Sequence, residues 1–331
     1  MPGLNIKLVK LRSKFKRLQR DAGWQLGLNR SYLSNAKGAR ILVYHGICLK
    51  NHLRFNTLFL KLKSFETQLH LYKKYFNIVS LDDFYHKRFG DERFTLCLTF
   101  DDGFANNYKY VLPLLEQYHV PATFFITGIR DAGYDVLWND VLCMAYKYGP
   151  AKFTFRNEKF IKNNEGKYMS SQTGMRLVDL LRATGFEAKA EMIKELGSFK
   201  NRGEDDFWLQ MTEEQIKILS ASKWATIGSH SYYHNDLAKI PPATVKEDVT
   251  RSKQFLENIT GKEIKALAFP YGSYTREVVN EAKNTGFTQL LTTEFLFPDD
   301  ANGTTLRERL TINPFISNIN QMHANITGNY K

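Results

Sequence analysis

Short apolar runs alternate with amphipathic segments along most of the chain. The runs predicted to form buried strands are 40–47, around 78–80, 94–100, 122–128, 225–230, 265–272 and 287–293. The segments predicted to form helices are 64–76, 106–120 with an irregularity at Pro113, 243–260, and 273–286 with Ser273 as its cap and Gly286 as its stop. Strands that alternate with helices indicate a parallel sheet, either open or closed into a barrel.

Residues 129–210 interrupt this alternation. The segment is rich in charged and aromatic residues, and a mostly helical pattern runs from Met175 to Leu196. We therefore predict a mainly helical insertion between two barrel strands, which forms a lid or a side wall. The barrel domain that contains it is predicted to span residues 40–331, after a separate N-terminal segment of residues 1–39.

The N-terminal segment is strongly basic. Residues 1–40 contain ten lysines and arginines and one acid, Asp21, so they carry +9 of the formal net charge of +12. Within residues 4–20, leucines and Phe15 recur at helical spacing and lysines occupy another face, which is typical of a helix lying on an anionic membrane surface. A helix whose apolar side packs on the barrel gives the same pattern, so both interpretations remain open.

The remaining composition narrows the cellular setting. The other 291 residues carry a net charge of only +3 and contain no motif of a nucleic-acid-binding fold, so we expect no nucleic-acid partner. The three cysteines are far apart and lack C-x-x-C spacing, which favours a reducing compartment. Neither a membrane-spanning segment nor a signal peptide is visible. We expect a cytoplasmic protein that also works at the inner face of the membrane.

Three of the predicted strands end in residues that can do chemistry. The first ends in the adjacent acids Asp101 and Asp102, the second in His230 with His234 four residues later, and the third in FPYG. Two histidines at this spacing can bind a metal ion, but no glutamate lies between them to act as the base. One aspartate would complete the ligand set while the other accepts a proton from metal-bound water. This arrangement predicts hydrolysis of an amide or an ester.

In their order and separation, the motifs LTFDDG, GSHSYYH and AFPYGSY resemble those of the polysaccharide deacetylases of carbohydrate esterase family four, the nodulation-protein-like deacetylases. The resemblance covers roughly residues 40–315, interrupted by the insertion. It implies an α/β fold, a distorted (β/α) barrel, and metal-dependent removal of the acetyl group from N-acetylhexosamine units of a poly- or oligosaccharide, lipid-linked saccharides included. The implied cofactor is Zn²⁺, with Co²⁺, Ni²⁺ or Mn²⁺ as alternatives.

The resemblance also implies roles for individual residues. Asp101 would be the general base, and Asp102, His230 and His234 would be the metal ligands. The tetrahedral oxyanion would be held by the metal and by the backbone N–H of Tyr271, which makes Tyr271 part of the catalytic machinery.

A second group of residues is predicted to bind the substrate. The run ILVYHGI resembles the subgroup that acts on exopolysaccharide, in which a Tyr-His pair follows the first strand, so Tyr44 and His45 are expected to line the pocket together with Pro270. A partly buried pair at a strand end is an equally open interpretation of Tyr44 and His45.

The chain departs from the family at one charged position. Many members carry an arginine two residues before the proline of the third motif, where it orients the catalytic aspartate, but this chain has Ala268. We expect Arg309 to supply the missing charge. His323 does not lie in a run that resembles a buried strand, so the acid that protonates the leaving amine remains unassigned.

Three other functions remain open. The same scaffold could serve a deformylase or another amide hydrolase, and the missing arginine would suit a carbohydrate-binding protein without turnover. Two histidines and one carboxylate can also hold Fe(II) in an oxygenase, although such an enzyme would not need Asp101.

Overall fold

In the computed structural model the chain forms a closed parallel barrel with helices around it. The structure describes residues 2–197 and 207–330, and side chains from residue 12 onward within these ranges. In chain order the strands are β1 (Ala39–Tyr44), β2 (Ile47–Cys48), β3 (Leu60–Lys61), β4 (Asn77–Val79), β5 (Thr95–Phe100), β6 (Ala122–Ile126), β7 (Lys152–Phe155), β8 (Glu158–Lys162), β9 (Tyr168–Ser170), β10 (Ala225–Ser229), β11 (Ala266–Ala268), β12 (Gln289–Thr292) and β13 (Leu306–Thr311).

Helices cover the outside of the barrel and build most of the insertion. In chain order they are α1 (Pro2–Gln25), α2 (Arg30–Ser34), α3 (Leu62–Tyr75), α4 (Leu81–Tyr85), α5 (Leu112–Tyr118), α6 (Trp138–Tyr148), α7 (Leu177–Arg182), α8 (Phe186–Leu196), α9 (Glu213–Ala221), α10 (Pro242–Thr260), α11 (Arg276–Asn284) and α12 (Asn318–Thr327). A π-helical turn, Asn107–Val111, precedes α5, so the predicted irregularity near Pro113 lies where the helix type changes.

Seven strands close the barrel. They follow the order β1, β13, β12, β11, β10, β6 and β5, and β5 pairs with β1 to complete the ring. The short β4 pairs with the first half of β5 outside this ring. All six residues of β5 are buried because its inner side chains fill the barrel while its outer ones lie under the helices. The predicted distorted (β/α) barrel is confirmed.

The strands are shorter than the apolar runs that predict them. The run 122–128 contains β6, which ends at Ile126, and the run 265–272 contains β11, which ends at Ala268. The residues left over form the loops at the carboxyl ends of the strands, where a barrel carries its functional groups. The predicted cap Ser273 is wrong: the Thr275 hydroxyl accepts the bond from the N–H of Val278 at the start of α11.

The insertion has a core of its own. Helices α6, α7 and α8 enclose aromatic and aliphatic side chains that include Trp138 and Tyr168, and Tyr271 of the barrel packs against this cluster. The three short strands β7, β8 and β9 add an antiparallel sheet that the sequence pattern did not indicate. Through Tyr271 the insertion reaches the loops at the carboxyl ends of the strands.

The basic N-terminal segment is a long helix, α1, which packs beside α12. It contacts the body through polar groups and through Trp24, whose ring packs edge-on against Tyr75. Asp21 accepts hydrogen bonds from the side chains of Ser317 and Asn320, and Asn320 also donates to the carbonyl of Arg17. Among the helices that the structure describes, none combines the length and the apolar character needed to cross a bilayer.

Candidate active site

The adjacent aspartates lie where β5 leaves the barrel. The register between β1 and β5 pairs Tyr44 with Phe100, so the next residues along the two strands, His45 and Asp101, emerge side by side. Gly103 follows at φ +73°, and a Cβ there would approach Ile126 to 3.1 Å, so glycine suits this turn. The side chains of both aspartates lie at the barrel mouth.

Asp102, His230 and His234 come together in a buried cluster. One ligand atom from each residue lies within 4.8 Å of the other two. The Nε2 atoms of His230 and His234 lie 3.3 Å and 3.2 Å from the same oxygen, Oδ1 of Asp102. A carboxylate and two imidazoles converging on one point are a suitable donor set for a divalent ion, with positions left open for other ligands.

The other nitrogen of each imidazole is already engaged. Nδ1 of His230 donates to the carbonyl of Ala268 at 2.8 Å, and Nδ1 of His234 lies 3.1 Å from the hydroxyl of Tyr271. These contacts orient both rings so that Nε2 faces the cluster, as outer partners of metal-binding histidines commonly do. Ala268 therefore contributes through its backbone.

The backbone around the cluster adopts an uncommon conformation. Nine non-glycine residues in the described part of the chain have a positive φ, and four of them are Asp102 (75°), Ser231 (63°), His234 (53°) and Tyr271 (61°). The left-handed region is unfavourable for side chains with a Cβ and concentrates at functional sites. The turns that aim these side chains are thus held in place by their surroundings.

Asp101 has a different partner. Nη1 and Nη2 of Arg309 donate to its two oxygens, each at 2.7 Å, and Nη1 also lies 3.1 Å from the hydroxyl of Thr99. The guanidinium of Arg309 is buried in the barrel interior, 5.3 Å from the ring centre of Phe125. The interior also contains the small side chain of Ala268. A cation of β13 thus lies against Asp101 in a barrel interior where Ala268 offers no charge.

Burial and neighbouring charges act against each other on the two carboxyls. Burial favours the neutral form, but Arg309 and His230 outweigh it and hold the pKa of Asp101 below its usual value. For Asp102, hydrogen bonds from His230 and His234 outweigh burial and hold the pKa well below its usual value. Both carboxyls are therefore ionised at neutral pH, one beside a fixed cation and the other beside two imidazoles.

The third motif forms the wall next to His234. Pro270 is buried, and the half-buried Tyr271 holds its ring 4.9 Å from that of His234. Tyr271, whose peptide N–H the family resemblance implies as the donor to the oxyanion, has a positive φ of 61°. This places the assigned donor at the same barrel end as the cluster.

The predicted pocket pair Tyr44 and His45 separates. Tyr44 does not line the site: it is 1% exposed, its hydroxyl donates to Gln68 at 2.8 Å, and its ring stacks on Phe100 under α3. His45, the first residue after β1, instead lies at the barrel mouth. His45 contributes to the electrostatics of both Asp101 and Asp102.

His323, which was left without a role, lies in α12 and stacks on Tyr32 with ring centres 4.7 Å apart. It belongs to the outer helical layer and takes no part in the cluster.

Asp140 of α6, which the sequence analysis overlooked, is buried close enough to Asp102 for the two charges to interact. Burial and that charge raise the pKa of Asp140 well above its usual value.

Residues of the insertion also form hydrogen bonds with the loop between His230 and Asp236, which follows β10. Arg182 of α7 donates to the buried carboxylate of Asp236 at 2.7 Å and lies 4.4 Å from the ring centre of Tyr271. The fully buried Lys189 of α8 donates to the side chain of Asn235. No motif marks these residues in the sequence, since a charged residue on an amphipathic helix ordinarily faces solvent.

Asp248 of α10 holds the same loop from the barrel side. Its carboxylate accepts hydrogen bonds from the N–H of Tyr232 and, at 2.8 Å, from the side chain of Asn235. The loop between His230 and Asp236 is therefore fixed by partners from both the barrel and the insertion.

Comparison with known proteins adds sequence relatives to this geometry. The family model described as polysaccharide deacetylase matches residues 90–159 and 160–290. YxkH of Bacillus subtilis (strain 168), a protein assigned to the polysaccharide deacetylases, is 30% identical over 84 residues, which are 25% of this chain and 30% of that protein. The match thus spans less than a third of that relative's length.

Solved structures share the fold at low sequence identity. The Streptococcus pyogenes deacetylase PplD, solved with acetate, superposes with a TM-score of 0.57 at 18% identity, over 88% of this chain and 99% of that one. IcaB from Ammonifex degensii superposes with a TM-score of 0.54 at 18% identity, over 88% and 98%. Because the family model covers more than half of the sequence and its motifs meet at one barrel end, the chain belongs to the polysaccharide deacetylase family.

Proposed function

We propose that the protein is a metal-dependent hydrolase that removes the N-acetyl group from an N-acetylhexosamine unit of a poly- or oligosaccharide. The observation that carries the proposal is the division between two adjacent carboxylates. Asp102 meets two imidazoles in a suitable ligand set, while Asp101 is held by Arg309 with Oδ2 only 3.9 Å from Nε2 of His230. In this proposal a ligand and a base lie side by side, which suits metal-assisted amide hydrolysis.

Each residue has a distinct part in this reaction. A divalent ion held by Asp102, His230 and His234, in our proposal Zn²⁺, would polarise the amide carbonyl and lower the pKa of a water molecule. Asp101 accepts the proton of the attacking water, and Arg309 keeps its carboxylate ionised and in place. The backbone N–H of Tyr271 donates to the oxygen that becomes negative as the tetrahedral centre forms.

The leaving amine must gain a proton before it departs. Two titratable groups lie close enough to the aspartates to affect them, His45 at the end of β1 and Asp140 of α6. Burial and the charge of Asp102 raise the pKa of Asp140, which favours the protonated carboxyl that an acid needs. We propose these two residues as the candidate acids.

The proposal also includes the cellular location of the reaction. The substrate would be met in the cytoplasm or at the inner face of the membrane, where residues 4–20 would make peripheral contact. A deformylase acting on an amino sugar would use the same groups, since formyl and acetyl amides differ by one methyl. An Fe(II) oxygenase is disfavoured because it gives no role to the buried pair of Asp101 and Arg309.

Acetate release from N-acetylglucosamine oligosaccharides tests the proposal. Chelator-treated protein should release none, and Zn²⁺, Co²⁺, Ni²⁺ or Mn²⁺ should each be tried for recovery. The matching N-formyl oligosaccharides, assayed for formate, separate deacetylase from deformylase. If no amide is cleaved with any of these ions while calorimetry shows that the sugar binds, the protein is a carbohydrate-binding member of the family.

A further inference from the structure

Helix α1 presents an apolar surface to solvent although its opposite side packs on the protein. Phe15 is 61% exposed and Leu18 is 58% exposed. Arg17, Asp21 and Trp24, which face the body, are partly buried. The interpretation in which the apolar stripe packs on the barrel therefore fails for Phe15 and Leu18, because the helix docks through Arg17, Asp21 and Trp24 instead.

Positive charges surround this exposed pair. Arg12, Lys14 and Lys16 line the same surface as Phe15 and Leu18, and all three are exposed. No acidic residue precedes Asp21 in the chain. Apolar side chains that can enter the acyl boundary, combined with lysines and arginines that can meet anionic headgroups, are the two elements of an interfacial helix.

The contacts of α1 show at which end of the barrel this surface lies. Helix α12 starts just after the carboxyl end of β13, at the catalytic end, and runs back until the carbonyl of Asn325 meets Arg40 at the start of β1. Helix α1 contacts the first turn of α12 through Arg17 and Asp21, and its later residue Trp24 reaches Tyr75 at the far end of α3.

The direction of α1 follows from these contacts. From Arg17 to Trp24 the helix runs away from the catalytic end, so the residues before Arg17 extend toward it. At about 1.5 Å per residue, Phe15 lies one turn or less from the first turn of α12. Phe15 and the basic residues before Arg17 therefore lie toward the barrel end at which the aspartates and histidines open.

Loops at the same end of the barrel expose further apolar side chains. The connection that follows β1 and β2 exposes Leu49 (53%) and Leu53 (37%), and the connection after β13 exposes Phe315 (61%). A hydrogen bond between His52 and the backbone of Pro314 joins these two connections. The bond between Ser317 and Asp21 then joins the second connection to α1.

We propose that this end of the molecule, with α1 at its edge, docks on an anionic membrane surface and that the substrate is an N-acetylated saccharide carried on a lipid. The substrate class rests on the proposed function, whereas the docking surface stands on its own. A saccharide held at the headgroup level would be close to the barrel mouth, because Phe15 and the exposed loop residues Leu53 and Phe315 lie toward the same end of the barrel.

Vesicle binding by the full chain tests the surface. The protein should sediment with vesicles of phosphatidylcholine and phosphatidylglycerol, and much less with phosphatidylcholine alone. Phe15→Ser combined with Leu18→Ser should lower the partition coefficient by about tenfold or more, since two exposed apolar side chains no longer enter the bilayer. Ile218→Ser on α9, an exposed apolar residue of a helix that packs on α10, is the matched control and should leave binding unchanged.

Two substrates separate this inference from the proposed function. The double variant should cleave a soluble N-acetylglucosamine oligosaccharide as fast as the wild type, but should cleave the same sugar on a lipid anchor in anionic vesicles about tenfold more slowly.

Equal vesicle binding by the wild type and the double variant would overturn the docking surface. A wild-type dimer that the double variant converts to a monomer, without vesicle binding, would instead assign the surface to a second copy of the chain. If the wild type binds vesicles yet cleaves neither substrate, the proposed function fails and the docking surface stands.

Discussion

Asp101 and Asp102 are neighbours in the chain and are equally buried, at 4% exposure each, yet they lie in opposite surroundings. A guanidinium from β13 holds the first in two short hydrogen bonds. Two imidazoles from the loop after β10 face the second. The two side chains thus differ because distant strands contribute different partners, a fixed cation to Asp101 and two imidazoles to Asp102. In the proposed function this difference separates the base from the metal ligand.

The largest difference in metal binding and activity should come from neutralising one of the two aspartates at a time. Asp102→Asn should lose most of the metal and all measurable acetate release, because an amide oxygen is a weaker ligand than a carboxylate. Asp101→Asn should keep the metal but lose roughly 10²- to 10⁴-fold in kcat, the range for a positioned general base. Calorimetric titration with Zn²⁺ and an acetate assay on the same preparations check both. Full acetate release by Asp101→Asn would refute its assignment as base.

Replacing the partner of Asp101 should have a smaller effect on rate and a clear effect on pH dependence. In Arg309→Met the carboxylate stays buried without its cation, so we expect the free energy of unfolding at pH 7 to fall by about 3–5 kcal/mol. The pKa of Asp101 should rise, which moves the acidic limb of the kcat/KM profile to higher pH.

The sign of the stability effect can be checked with pH. Because the pKa of Asp101 is lower in the folded protein than in the unfolded chain, its contribution is complete above the unfolded value and is lost as pH falls through the folded value. The stability difference between wild type and Arg309→Met should therefore shrink in acid, as urea unfolding at several pH values would show. Arg307→Met, on the same strand but bonded to backbone carbonyls, is the control. If the acidic limb of the kcat/KM profile does not move in Arg309→Met, the role of Arg309 is confined to packing.

The smallest effect should come from a substitution in the insertion, at a residue that contacts the loop carrying His234. Arg182→Met breaks the contact with Asp236 and removes the cation from Tyr271, without removing a ligand. We expect metal affinity to fall about tenfold, the lower end of the range for residues that orient ligands. The absorption spectrum during Co²⁺ titration measures this without any turnover. Arg176→Met, whose exposed side chain pairs only locally with Asp179, should match the wild type, and an unchanged affinity in Arg182→Met would show that the loop does not need the insertion.

The sequence predicted those parts of the fold that depend on local pattern. Apolar runs located β5, β6 and β10, although the runs for β6 and β10 extended one or two residues too far. The polar residues at the ends of β5 and β10 marked the functional end of the barrel. The strand β13 was not predicted because its sequence LRERLT alternates with charged residues. Arg309 in this strand is buried, and only the closed barrel reveals that it faces inward.

The orientations of Tyr44 and His45 and the loop contacts of the insertion depend on contacts between distant segments, which local sequence patterns do not encode. The pleat of β1 turns Tyr44 toward the helical layer and His45 toward the mouth, and no feature of ILVYHGI distinguishes these two orientations. The loop contacts of Arg182 and Lys189 depend on how the insertion packs on Tyr271. Such contacts join segments far apart in sequence, so spacing within a motif carries no signal for them.

The left-handed backbone at Asp102, Ser231, His234 and Tyr271 has a consequence for the lifetime of the folded protein. Each such residue lowers the stability of the fold by on the order of 1 kcal/mol. An ion bound by the three ligands would stabilise the folded state alone, by an amount that grows with its free concentration. Metal supply in the cell would then govern how long the protein survives proteolysis as well as how fast it works.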